Sequence, residues 1–157
     1  MIRQQPGDLL EIEHDGNYFY IVVLTRITMF GGNIVFAWHN DGQRRDLESL
    51  QTDRTGFNAC TDLIEPKREG KVTRIHRFSD TSDFWLTKYA KGANVFRKGE
   101  KARLWFLYEI TDLTKEIGRY EKLPDEYRSA MDKMTSSFGI IASKIMARYT
   151  PDQNERL

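Results

Sequence analysis

The chain has 157 residues, 39% of them apolar and 30% charged, with a formal net charge of +1. That balance excludes a disordered chain and suits one domain with a sizeable core, or two small units sharing one. The apolar runs, Ile21–Leu24 and Leu104–Leu107 among them, fall far short of the roughly 20 residues a membrane span needs. The first residues carry no apolar signal core, and the lone Cys60 precludes an internal disulfide, so a reducing, cytoplasmic location is expected.

Pro6-Gly7 marks a turn before Asp8–His14, where Leu10 and Ile12 alternate with Glu11 and Glu13 as in a half-buried strand. His14-Asp-Gly-Asn17 signals a hairpin into a second strand, Tyr18–Arg26. That run is apolar on both faces, which predicts a central strand covered on both sides. Gly31-Gly32-Asn33 permits positive φ and leads to a third strand, Ile34–His39, closed by a turn at Asn40-Asp41-Gly42. Asp46–Leu50 suggests a helical turn, Cys60–Glu65 a short strand ended by Pro66, and Val72–Phe78 a further strand.

Ser82 is placed to cap a short helix from Asp83 to Lys91, with Gly92 just past its end and Trp85 and Tyr89 on one face. Ala102–Ile110 alternates strongly, with Ala102, Leu104, Phe106, Tyr108 and Ile110 on one side. Beyond it, Tyr127, Met131, Met134, Phe138, Ile141, Ile145 and Tyr149 are spaced 4, 3, 4, 3, 4 and 4 apart. This is the stripe of an amphipathic helix from Pro124 to Tyr149, about 39 Å long, which Ser136-Ser137 and Gly139 are placed to kink or divide. The stripe packs on the sheet or meets its equivalent in a homodimer.

Few residues carry recognisable chemistry. His14, His39 and His76 lie in or beside predicted strands, without His-x-x-x-His or Cys-x-x-Cys spacing, so no metal site is expected. Asn58-Ala-Cys-Thr-Asp62 offers Cys60 no nearby base, which predicts a buried, inert thiol. Glu11/Glu13 and Asp80/Asp83 sit in polar surroundings, as solvated carboxylates do. Gly31-Gly32 follows a strand, but no helix opens after it, so a phosphate-cradling loop is disfavoured. No catalytic residue and no cofactor are assigned.

Charge is unevenly spread. Eleven Lys/Arg against four Asp/Glu between Lys67 and Arg103 leave +7 there and −6 in the rest of the chain. Within that stretch runs Phe84-Trp85, Lys88-Tyr89, Lys91, Phe96-Arg97-Lys98, Lys101 and Arg103. Such interleaving of bases and aromatics fills a core, builds a protein-binding face, or clamps and stacks unpaired nucleotides. Trp85, Lys88, Tyr89, Arg97, Lys98 and Arg103 are the candidate partner-binding residues.

Three stretches, Pro6-Gly-Asp-Leu-Leu-Glu-Ile, Asp15-Gly-Asn-Tyr-Phe-Tyr-Ile-Val-Val-Leu and Ile34-Val-Phe-Ala-Trp, resemble the opening of bacterial polymorphic-toxin immunity proteins of the immunity protein 26 kind. The likeness covers about the first quarter of the chain. It implies a cytosolic protein that neutralises a cognate protein toxin by tight binding, and it transfers no catalytic or contact residues.

The expected architecture is a single α+β domain over 1–157, mainly β to residue 112 and mainly helical over 113–150. Its mostly antiparallel, small-barrel-like curled sheet packs against the long C-terminal helix. The expected function is non-enzymatic binding, foremost of a toxin. The alternative is a small-barrel adaptor that holds RNA or single-stranded DNA through residues 88–103.

Overall fold

The computed structural model describes residues 4–27, 32–95 and 97–157. Gly31 of the second predicted turn and Phe96 of the basic–aromatic segment lie outside the described residues. The chain divides into two compact units: residues up to Leu86 with Thr135–Tyr149, and Thr87–Met134 with Thr150–Leu157.

In the first unit, β1 (Asp8–His14), β2 (Asn17–Arg26), β3 (Asn33–Trp38), β4 (Gly56–Thr61) and β5 (Val72–Arg77) form one antiparallel sheet in the order β4-β3-β2-β1-β5. The Asp-Gly signal makes the first hairpin, with Asp15 and Gly16 at φ of 50° and 77°, the left-handed pair that a tight two-residue loop requires. The first three strands and the Val72 strand therefore fall where alternation and turn residues put them.

Both faces of β2 are covered. On one, Phe19, Ile21 and Val23 join Leu10, Val35 and Phe57 against Phe138, Ile141 and Ile145 of α3 (Phe138–Met146). On the other, Phe36 and Trp38 meet Phe84 at ring-centroid separations of 5.2 and 5.5 Å. Each such aromatic contributes about 1.5–3 kcal/mol by leaving water. Gly56 is obligatory in β4, because a Cβ there would lie 2.0 Å from the Ala37 carbonyl oxygen.

In the second unit, β6 (Tyr89–Asn94), β7 (Leu104–Glu109), β8 (Asp112–Tyr120) and β9 (Met131–Asp132) form a sheet in the order β8-β7-β6-β9. Only β9 runs parallel to its neighbour. The protein is thus mainly β, with two sheets and short helices, rather than α+β.

Four expectations are corrected. The first sheet is open and no barrel closes, since β4 and β5 are its two edges. Instead, Ser136 donates its N–H to the Cys60 carbonyl beside β4 at 3.0 Å. The long C-terminal helix is replaced by a 3₁₀ turn at Asp125–Tyr127, β9, and the nine-residue α3. Pairing of Met131 and Asp132 with β6 takes the backbone that a helix would have used, and tertiary contacts outweigh the periodicity.

The Asp83–Lys91 helix is likewise absent. A 3₁₀ turn at Ser82–Phe84 gives way to extended chain, held by Asn58, which donates its amide N–H to Phe84 O and accepts from the Leu86 N–H, each at 2.8 Å. Finally, Cys60–Glu65 is no strand: β4 ends at Thr61, and Ile64–Arg68 forms α2 with Pro66 in its first turn, where a missing N–H costs nothing. The Asp46–Leu50 turn is present as α1 (Leu47–Thr52), whose first turn is capped by Asp46 accepting from the Ser49 N–H at 2.8 Å.

Candidate functional site

The two faces of the second sheet differ. Along β7, Trp105 and Leu107 are buried, whereas Leu104, Phe106 and Tyr108 are only half-buried. Opposite Phe106 and Tyr108 on β6 stand Gly92 and the fully buried Ala90. Across β8, Arg119 is in register with Phe106, and its guanidinium lies 5.0 Å from the ring centroid. Glu116 grips the same guanidinium with both carboxylate oxygens, at 2.7 and 3.1 Å. The shared hydrogen bonds hold the Glu116 carboxyl below its usual range and Arg119 above. Lys133 sets its ammonium 3.8 Å from the Tyr108 ring centroid.

This face therefore presents two aromatic rings, each flanked by a cation, on a rigid β support. Phe, Tyr and Arg are enriched at the centres of protein interfaces because they offer large contact area for little conformational entropy. A guanidinium oriented by a carboxylate and a ring is already in place before a partner arrives.

The opposite face is closed around Lys91, which has no solvent-exposed side-chain surface. Its ammonium donates to the carbonyls of Arg128, Ala130 and Pro151 at 2.7, 2.6 and 2.8 Å, and Asp132 lies 3.4 Å away. Burial pulls this lysine below the ordinary range, and Asp132 and Asp152 draw it partly back. Lys91 ties β6 to the segments before and after β9. It is a structural tie rather than a member of a basic surface.

The six candidate residues do not form one cluster. Trp85 follows the 3₁₀ turn of the first unit and is half-buried. The others belong to the second unit. Lys88 is exposed just before β6, and Arg97, Lys98 and Arg103 are exposed in the connection from β6 to β7. Tyr89 lies on the Lys91 side of the sheet, with its ring 5.1 Å from that of Tyr127. Phe84 belongs to the aromatic core of the first unit.

Phe106, Tyr108, Arg119 and Lys133 were not singled out from the sequence as partner-binding. Alternation put Phe106 and Tyr108 on one side of their strand. That this side is the less buried one is not visible from alternation alone.

The histidines are dispersed. His14 lies 3.4 Å from the Asp15 carboxylate, a ring nitrogen of His39 is 2.8 Å from the Tyr149 carbonyl, and His76 packs edge-on to Phe78. Cys60 is buried. Among the described residues no group of three or more His, Cys, Asp or Glu is arranged to hold a metal ion. No helix there is long and apolar enough to cross a membrane. Compared with family models, curated proteins and solved structures, the chain has no significant match in any of the three.

Proposed function

We propose that this chain is a non-enzymatic binding protein that neutralises a protein toxin by seating it on the Phe106–Tyr108 face of the second sheet. The observation that carries the binding role is the pair of half-buried rings, Phe106 and Tyr108, with Arg119 clamped by Glu116 beside them. The resemblance of the first quarter of the chain to bacterial immunity proteins supplies the class of partner. An inhibitor of this kind works through a fixed surface of anchors and complementary charge.

The test is co-expression with the protein encoded immediately upstream. Cells that this protein kills are expected to survive when the chain is present, and the two are expected to co-purify. Killing undiminished by the chain, with no complex on sizing, would remove the reading.

A further inference from the structure

Resting on that docking role, we infer that the toxin surface seated on this face is acidic, with an apolar side chain packed on the Phe106 and Tyr108 rings and carboxylates reaching the exposed cations of the β6–β7 connection. Phe106 and Tyr108 are two residues apart on one strand, which spaces their side chains by about 7 Å along β7. Opposite Phe106, the space over Gly92 is bounded by the Tyr108 ring and the Lys133 stem, which a Cβ there would meet at 3.7 and 3.9 Å, so a partner's apolar side chain meets the rings at their exposed parts.

Beside the rings, Glu116 holds the Arg119 guanidinium and Lys133 stands over Tyr108. At the Asn94–Leu104 end of the two strands, Arg97, Lys98, Lys101 and Arg103 outnumber Glu100. Arg97 and Lys98 are exposed, and no ion pair of either is seen among the described residues. Clustered cations of this kind steer an anionic partner and speed encounter, while the rings govern how long it stays.

A polynucleotide is the poorer fit. The second unit as a whole carries twelve Lys/Arg against ten Asp/Glu. Glu116 stands at the guanidinium that a phosphate would seek.

The experiment measures association and dissociation of the purified chain with the upstream-encoded toxin at low and high salt. Arg97→Glu combined with Lys98→Glu is expected to slow association about 10-fold at low salt and little at high salt. Phe106→Ala is expected to speed dissociation by about 10- to 100-fold. The charge variant alters only an exposed connection, so it stands as a test even if Phe106→Ala unfolds the sheet. Unchanged kinetics in the charge variant and in any folded Phe106→Ala would overturn the inference and leave inhibition through another face. No complex with the unaltered chain would overturn the docking role and the inference together. Binding of a labelled oligouridylate, lost in the same variants, would assign the face to nucleic acid and overturn it as well.

Discussion

An ammonium cut off from solvent is tolerated only where each of its protons finds an acceptor. Lys91 meets that condition with three carbonyls at 2.6–2.8 Å. Lys91→Met leaves those carbonyls without their donor, takes the cation from beside Asp132, and is expected to lower stability by about 3–5 kcal/mol, read by urea unfolding. A loss below about 1 kcal/mol would mean that water replaces the lysine at no cost.

Tyr20 poses the same question with a titratable donor. Its hydroxyl donates to Glu11 and accepts from the Arg45 N–H, both at 2.8 Å, and burial, with the Glu11 carboxylate, pushes it up to about 12. The folded protein therefore keeps its proton after the unfolded chain, near pH 10, has lost it. The stabilisation is whole below pH 10 and is lost as pH rises through about 12. Tyr20→Phe is expected to be about 1–3 kcal/mol less stable at neutral pH, from the orphaned Arg45 N–H and Glu11. It should also show a smaller further loss between pH 10 and 12 than the unaltered chain. Parallel decline of the two would contradict the assignment.

Caps and turns set the elements where side chains contact the backbone locally. Asp46→Ala removes the acceptor for the Ser49 N–H at the start of α1 and is expected to cost about 0.5–2 kcal/mol in thermal or urea unfolding. Such local devices were legible in the sequence: Asp46 before its helical turn, Asp15-Gly16 at the hairpin, and alternation in β1, β5 and β7. Elements fixed by distant partners were not.

Nothing near Ser82 announces that Asn58 holds the chain extended just after Phe84, so Asp83–Lys91 reads as a helix although β6 takes its last three residues. Tyr127, Met131 and Met134 keep perfect helical spacing, yet Met131 pairs with Ala90 while Met134 stays exposed. Exposed β8 was missed because Lys115, Glu116 and Ile117 follow no clean alternation. A bulge there shifts the register between Leu107 and Tyr108, and such a bulge puts one residue out of phase.

For the whole molecule, charge clustered in sequence resolves into different roles in space. Of the eleven cations between Lys67 and Arg103, Lys91 is buried as a structural tie and Arg77 is paired with buried Asp8 at 2.6 Å. Four others, Arg97, Lys98, Lys101 and Arg103, lie in the connection from β6 to β7. The candidate face was legible only in part: its charge and one of its strands were visible, but not which side of that strand is the less buried. The two-sided core of the first sheet and the Lys91 tie in the second give each unit a fixed framework, and a fixed framework is what an inhibitor requires of its surface.

The central claim is that the molecule silences its partner by occupying it. A titration of toxin activity with purified protein tests this most directly. The account predicts a linear fall that ends at one equivalent, with intact toxin recovered when the complex is dissociated. Complete inactivation by a small fraction of an equivalent, with the toxin covalently altered, would contradict it.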